Sequence, residues 1–242
     1  MKRMVTLGLL ILLFAATAPR AAADTFIEQL VEQTIPNQPV ATDTITIWMS
    51  ADRMAILGAG QDILLRLDLS QLYLLNAKEK SYSVLSLPID LGTLLPPDDP
   101  QAPMLKQMLT MTQAVATVTP TDVRKQIGPW EARRYDMEIK NDYIDVLDTL
   151  WASQAVPIDM KLYNSLQENL LALNPVMRNA AASMRRIEGV VVLQEATIAA
   201  MGMTTKTRTE ILKVGEKEAP AGAYQVPKGF EKHAFNPLAR GQ

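Results

Sequence analysis

Cysteine is absent from this 242-residue chain, and histidine occurs once, at His233. Without cysteine the fold has no disulfide and depends on its core alone, and a zinc site of the usual Cys/His composition is excluded. Catalytic triads and imidazole acid–base chemistry also draw on histidine, whereas His233 stands in a polar C-terminal tail. The chain also lacks a G-x-S-x-G motif and a Walker loop. We therefore expect no enzymatic activity, no cofactor and no metal.

A block of basic residues is also missing. Lysine and arginine total 24 against 26 acidic residues, and the formal net charge is −2. A mildly acidic chain without a basic run is a poor candidate for binding nucleic acid or an anionic lipid surface. Nucleic acid is therefore not an expected partner.

The first 23 residues have the three parts of a secretory signal peptide. Lys2 and Arg3 form the positive region, the apolar stretch MVTLGLLILLFAA follows, and Ala21 to Ala23 supply small residues for cleavage. The uncharged run is shorter than the ~20 residues that span a bilayer. Because no cysteine is present for lipid attachment, we expect a periplasmic or secreted protein that is not membrane-embedded.

The remaining chain, residues 24–242, reads mostly as β-structure in a single domain. Residues 24–34 are the exception at the start, where the spacing predicts a short amphipathic helix. From Ala41 the apolar residues alternate, and tight turns separate five short strands, which is typical of an antiparallel meander. A helix is predicted at about 103–113. The clearest strand is WEARRYDMEIK, and a final strand is predicted in AYQVP near the C-terminus.

Residues 157–187 interrupt the strands with a helical insertion. Leu162, Leu166, Leu170 and Leu173 recur at helical spacing, and the pair Asn174-Pro175 predicts the end of one helix and the start of the next. Roughly ten strands with two helical insertions indicate an α+β fold that is mainly β. We expect one curved antiparallel sheet, an unclosed β-barrel whose apolar face is lidded by the helices.

The strongest carboxylate cluster is NDYIDVLD, with Asp142, Asp145 and Asp148. On a helix this spacing aligns all three, and they can hold a hard cation. On a strand Asp145 points away from the other two. The strand reading is favoured, so a metal site here is the weaker interpretation.

Methionine is concentrated in the second half of the chain. Nine of the 13 methionines lie between residues 98 and 203, and the predicted helices contain Met104, Met108, Met111, Met160, Met177 and Met184. Methionine adapts to irregular apolar partners. The pattern therefore has two interpretations: helices that line a cavity for acyl chains, or ordinary core filling.

Several short motifs resemble an uncharacterised family of exported bacterial proteins. The early meander LRLDLSQLYLLNAKEKSYSVL is followed by an isoleucine-glycine turn into a strand, IGPWEARRY, and later by the long hairpin GVVVLQEATIAAMGMTTKTRTEILKV. The tail then carries Tyr224, Val226, Pro227, Gly229 and Phe230 in a Tyr-x-Val-Pro-x-Gly-aromatic pattern. That family is similar to the periplasmic lipoprotein carriers LolA and LolB, whose unclosed barrel holds acyl chains under helices.

The resemblance implies a carrier without catalytic residues that binds a lipid or the acyl chains of a lipoprotein, and we expect it to be a monomer. The residues predicted to line its cavity, between the sheet and the helices, are Trp48, Met104, Met108, Trp151, Leu162, Leu166, Leu170 and Met177. The alternative is an envelope interaction or sensor module with a filled core that acts through its surface, for example through an exposed sheet edge.

Overall fold

The computed structural model describes residues 23–58, 61–111, 114–173, 177, 180–200 and 202–236. The predicted signal peptide lies outside these residues, except for its last residue. The described chain forms one unclosed sheet of twelve strands and few helices. The strands are β1 (Asp24–Thr34), β2 (Ala41–Ser50), β3 (Arg53–Leu57), β4 (Gln61–Arg66), β5 (Gln71–Asn76), β6 (Ser81–Ser86), β7 (Val115–Ile127), β8 (Trp130–Lys140), β9 (Ile144–Ser153), β10 (Val190–Ala200), β11 (Met203–Lys217) and β12 (Glu231–Lys232).

The sheet consists of two meanders joined by the first strand. Its order is β12-β6-β5-β4-β3-β2-β1-β11-β10-β9-β8-β7, and all neighbours are antiparallel except β12 and β6. Connections of two to four residues join β2 to β6 into a meander, as the alternating pattern predicts. The prediction of a mainly β fold with one large antiparallel sheet is confirmed.

The helix predicted at 24–34 is wrong, because this segment is strand β1. It pairs with β2 on one side and with β11 on the other, from Asp24 to Thr34. Phe26 and Ile27 are both buried, and they belong to different apolar clusters. Adjacent apolar residues therefore serve the two faces of a central strand, and two ladders of backbone hydrogen bonds override the local helical spacing.

Three α-helices occur in the described chain: α1 (Ala102–Met111), α2 (Met160–Leu173) and α3 (Ala181–Met184). The side chain of Asp159 accepts hydrogen bonds from the backbone N–H groups of Lys161 and Leu162, at 2.8 and 3.2 Å. Such a cap satisfies donors that have no partner within the helix and sets the start of α2. Within the described part of the predicted insertion, α-helix occurs at Met160–Leu173 and Ala181–Met184, and the Asn174-Pro175 break lies outside the described residues. None of the described helices is long and apolar enough to cross a membrane.

The largest apolar cluster, here called the inner cluster, joins α2 to the sheet. Leu162, Tyr163 and Leu166 of α2 belong to it, together with Ile47 and Leu72 from the first meander and further residues of the second. The leucine stripe of the insertion therefore does what its helical spacing predicts. Side chains form a continuous core between α2 and the strands.

The first meander is also covered on its other face, by what is here called the outer cluster. Trp48 packs there with Phe26, Leu64 and Leu75, and the C-terminal segment contributes Tyr224. Phe230 is partly buried against the same cluster. Successive side chains of a strand point to opposite faces, so Trp48 and Ile47 lie on opposite sides of the sheet. The tail covers the side on which Trp48 lies.

The final strand predicted in AYQVP is wrong. Residues 221–225 form turns, and the pairing occurs later, where Glu231 and Lys232 run parallel to β6. The N–H of His233 donates to the carbonyl of Tyr82 at 2.8 Å. The physical reason is that Tyr224 is held by packing in the outer cluster, so the chain must turn at Gly229 before it reaches the sheet edge.

Candidate functional site

A cleft whose lining is more apolar than polar lies between α2, α3 and the start of β10, with a volume of about 370 Å³. It is half enclosed and open to solvent on one side. On the α2 side it is lined by Met160, Tyr163, Asn164, Gln167, Glu168 and Leu171. On the other side it is lined by Ala181, Met184, Arg185, Ile187, Gly189 and Val191. Its volume falls in the range of small-molecule sites.

Helical spacing places the α2 residues along one wall. Met160, Asn164, Gln167 and Leu171 follow each other three or four residues apart, so they form a single stripe. The stripe is apolar at both ends and polar in its middle. This order distinguishes it from the leucine stripe of the same helix, which faces the inner cluster.

Gly189 permits the chain to enter β10 at the floor of the cleft. Its φ is +95°, and a Cβ at this position would lie 2.3 Å from the carbonyl oxygen of Ser153. Any side chain here would collide with the backbone where β9 ends, and the left-handed conformation also favours glycine. Val191 then continues the floor, half buried beside the cluster of β7 to β10.

Tyr163 connects the two walls. Its hydroxyl accepts a hydrogen bond from the N–H of Val191 at 3.4 Å. Burial raises the pKa of the Tyr163 phenol, so the hydroxyl stays neutral. A buried neutral phenol fixes α2 against β10 without placing a charge at the cleft floor.

The mouth of the cleft carries one ion pair. The guanidinium of Arg185 donates from Nη2 to Oε1 of Glu168 at 3.0 Å, and from Nε to the same oxygen at 3.3 Å. The side chains are 72% and 49% exposed, respectively. Exposed pairs of this kind are worth about 0–1 kcal/mol, so this pair is easily rearranged.

A second groove borders the opposite side of α2. It has a volume of about 320 Å³ and is lined by the segment around Leu87 and Ile89 and by Ser165, Glu168 and Asn169. Its α2 wall is polar. Glu168 borders both spaces, so α2 stands between them.

The eight predicted lining residues are distributed over several places. Trp151, Leu162 and Leu166 are in the inner cluster, and Leu170 packs against it. Met177 packs on the cluster of β7 to β10. Met108 of α1 packs on a small cluster around Leu91, and Met104 is 55% exposed. None of the eight lines the cleft between α2 and α3.

Trp48 is the clearest difference from the predicted arrangement. It lies on the face of β2 opposite Ile47 and Met49, and these two residues share the inner cluster with α2. The physical reason is strand alternation: adjacent residues of β2 point to opposite faces. A cavity that contained both Trp48 and α2 would require contact through the sheet.

The three aspartates do not converge. Asp142 is exposed in the turn before β9, and Asp145 approaches Lys140 Nζ at 3.6 Å. Asp148 is buried on β9, where Gln194 Nε2 donates to its Oδ2 at 2.5 Å. The predicted strand is confirmed, and no group of metal-ligating side chains was found in the part of the chain that the structure describes.

Burial raises the pKa of the Asp148 carboxyl to about 6, although the hydrogen bond from Gln194 alone would lower this pKa. Its Oδ1 has no hydrogen-bond partner among the described residues. Met137 and Ala196 flank it on the neighbouring strands. Such apolar surroundings disfavour the charged form of the carboxyl group.

No family model matches the chain, and no curated protein matches it either. Among solved structures it is similar to PNGF-II in the C2 and P21 space groups, with a TM-score of 0.39 in both, identities of 8% and 9%, and coverage of 87% of this chain. The chain spans 30% and 31% of the length of those chains. It is also similar to a LolA superfamily protein from Nitrosomonas europaea, with a TM-score of 0.31 and 8% identity over 84% of this chain and 90% of that one.

Methionine enrichment was the one sequence signal that pointed to the cleft. Met160 and Met184, both singled out by that pattern, lie on its two walls. Tyr163, Glu168 and Arg185 were missed. Their positions become meaningful only once α2 and α3 are placed side by side, because nothing in their spacing along the chain indicates a contact.

Proposed function

We propose that the protein is a non-enzymatic binding or carrier protein of the periplasm that holds a hydrophobic ligand, a lipid or the acyl chain of a lipoprotein. The observation that carries this proposal is the apolar cleft between α2, α3 and β10. Half-buried Met160, Met184, Ile187 and Val191 leave apolar surface in reach of solvent. When a ligand covers such a concave apolar surface, the surface is removed from water, and this change is favourable.

The ligand site proposed here differs in position from the predicted cavity. The sequence placed the ligand between the helices and the sheet, where Leu162 and Leu166 instead take part in the inner cluster. The cleft uses another face of the same helix. In this arrangement α2 is a lid that packs on the sheet with one stripe and presents a second stripe to the ligand.

The cleft offers binding groups but few groups for chemistry. Its titratable side chains are Tyr163, Glu168 and Arg185, and the last two neutralise each other. We therefore propose binding without catalysis, by a monomer exported through its N-terminal signal peptide. Nucleic acid is not a proposed partner.

The proposal is tested with a neutral apolar dye, 1-N-phenylnaphthylamine, titrated into the delipidated protein. The fluorescence should rise saturably in the wild type. Ala181→Phe fills the cleft from α3 and should weaken dye binding by about tenfold, equivalent to about 1.4 kcal/mol. The matched control is Ala182→Phe, because Ala182 is the next residue of the same helix and is exposed outside the cleft.

The control should bind the dye like the wild type. Equal loss in both variants, or equal affinity in both, would contradict the location of the site. Absence of saturable binding in the wild type, together with native mass spectra that show only empty protein purified from the periplasm, would contradict the function itself.

A second candidate function is an envelope interaction module that acts through its surface. The continuous core between α2 and the sheet favours it, since that space holds protein side chains. Exposed apolar residues at strand ends, including Val115 of β7 at 73% and Met203 of β11 at 65% exposure, are available for contact. The dye titration distinguishes the two candidate functions, because the interaction module predicts that filling the cleft with Ala181→Phe leaves dye binding unchanged.

A further inference from the structure

We infer that the cleft selects a single-chain amphiphile with a zwitterionic headgroup, in which an anionic and a cationic group lie a few bonds apart. This inference rests on the proposed function and specifies its ligand. It follows from three features of the cleft: its length, its apolar end and the ion pair at its mouth.

The length and volume of the cleft suit one apolar chain. Met160 and Leu171 mark its two ends on α2, which at 1.5 Å per residue are about 16 Å apart. The hydrocarbon thickness of one membrane leaflet, half of ~30 Å, is comparable, and the part of the cleft between Glu168 and Met160 takes about 12 Å of such a chain. The volume of about 370 Å³ lies near the lower limit for ligand sites, so two chains side by side do not fit.

The polar and apolar groups define where each end of the amphiphile lies. Glu168 stands eight residues after Met160 on α2, or about 12 Å along the helix axis. On the side of α3 and β10 this space is bounded by the apolar residues Met184, Ile187 and Val191, whereas on the α2 side it is bounded by the polar residues Asn164 and Gln167. The chain therefore extends from the ion pair towards Met160 against the wall formed by α3 and β10, and Asn164 and Gln167 can hydrogen-bond the linker of the headgroup.

The ion pair determines the charge of the headgroup. Nη2 of Arg185 and Oε1 of Glu168 are 3.0 Å apart. A purely anionic headgroup that approaches Arg185 is therefore repelled by the carboxylate of Glu168, and a purely cationic headgroup that approaches Glu168 is repelled by the guanidinium of Arg185. Each would leave one protein charge without its partner. A zwitterion supplies a cation to Glu168 and an anion to Arg185 at once, so both charges stay paired when the ligand enters.

Rearranging the pair costs little because the Glu168 side chain is about half exposed to water and the Arg185 side chain is more exposed. The selectivity expected from surface charges is correspondingly modest. We expect the wild type to bind a zwitterionic amphiphile about fivefold more tightly than an anionic or a cationic one with the same chain, since an exposed pair is worth at most about a fivefold change.

The test is displacement of 1-N-phenylnaphthylamine by four probes with one acyl chain length, used below their micelle concentrations. The probes are a lysophosphatidylethanolamine, a lysophosphatidylglycerol, an alkyltrimethylammonium and a monoacylglycerol. Glu168→Gln should shift the preference to the anionic probe, and Arg185→Gln to the cationic probe. The double exchange Glu168→Arg with Arg185→Glu should restore the zwitterion preference, because both charges are again present.

The outcomes separate the two proposals. If all four probes displace the dye equally in every variant, the headgroup inference is overturned while apolar binding stands. A double exchange that behaves like either single variant also overturns it. If no probe displaces the dye and no dye binds, the proposed function has failed. Circular dichroism confirms that the variants fold, which is expected because both side chains are exposed.

Discussion

Asp148 provides the sharpest test of how burial and charge are balanced in this fold. The carboxyl is buried on β9 between Met137 and Ala196, with Gln194 as its one hydrogen-bond donor among the described residues, and burial raises its pKa to about 6. The perturbation is Asp148→Asn. Asparagine has nearly the same shape, is neutral at every pH, and keeps an oxygen that accepts from Gln194.

The magnitude follows from linkage. Because the pKa of Asp148 is about 6 in the folded state and about 3.9 in the unfolded chain, the folded state holds its proton more tightly. This stabilises the protein fully below pH ~4, and the stabilisation is lost as the pH rises through about 6. Two units of pKa correspond to about 3 kcal/mol. Because the unfolded carboxyl is already about half ionised at pH 4, Asp148→Asn should gain about 2 kcal/mol of this relative to the wild type on going from pH 4 to pH 8.

The assay is urea unfolding of both proteins at pH 4 and pH 8, with the difference between variant and wild type compared at the two values. Asp142→Asn is the matched control because its side chain is exposed in the turn before β9, and its effect should be the same at both pH values. If Asp148→Asn changes the free energy of unfolding equally at pH 4 and pH 8, the reasoning from burial is refuted.

Three further predictions concern stability and the tail. Leu166→Ala removes a side chain that is 3% exposed and should cost about 2–5 kcal/mol in urea unfolding, whereas Leu147→Ala, exposed on β9, should change it by less than about 0.5 kcal/mol; similar losses would contradict the assigned core. Gly189→Ala should lower the free energy of unfolding by about 1–3 kcal/mol, and an unchanged value would refute the backbone clash. Truncation before Tyr224 should lower the melting temperature by removing part of the outer cluster and β12, while His233→Ala, which keeps the backbone bond to Tyr82, should alter neither melting nor dye binding; a binding loss at unchanged melting temperature would show a role for His233.

Elements with a clear period could be predicted from the sequence. The alternation in WEARRYDMEIK gives β8 with its predicted bounds, and the leucine spacing gives α2. These predictions succeed because one face of each element is buried and the other is wet, so the pattern of side chains follows the local geometry. The pattern fails at β1, where both faces are covered and apolar residues stand next to each other.

The candidate site was beyond the reach of the sequence for a related reason. Glu168 and Arg185 become partners only because α2 and α3 return to the same edge of β10, and a contact between separate elements leaves no periodic trace in either. Alternation likewise shows that Trp48 and Ile47 lie on opposite faces of β2, but it does not show which of these faces α2 covers. Methionine content indicated apolar, adaptable helices, but it did not distinguish the cleft from the core.

By itself, the sequence determined the class of this protein: a mainly β chain without cysteine and with one histidine, whose helices have apolar stripes that need cover. These properties follow from residue types and from periods of two or nearly four, which are local. Only the tertiary structure decided that β1 joins two meanders into one sheet, that the leucine stripe of α2 fills the core, and that the remaining face of α2 meets α3 across an apolar cleft. Those outcomes depend on packing and hydrogen bonds between residues far apart in the chain.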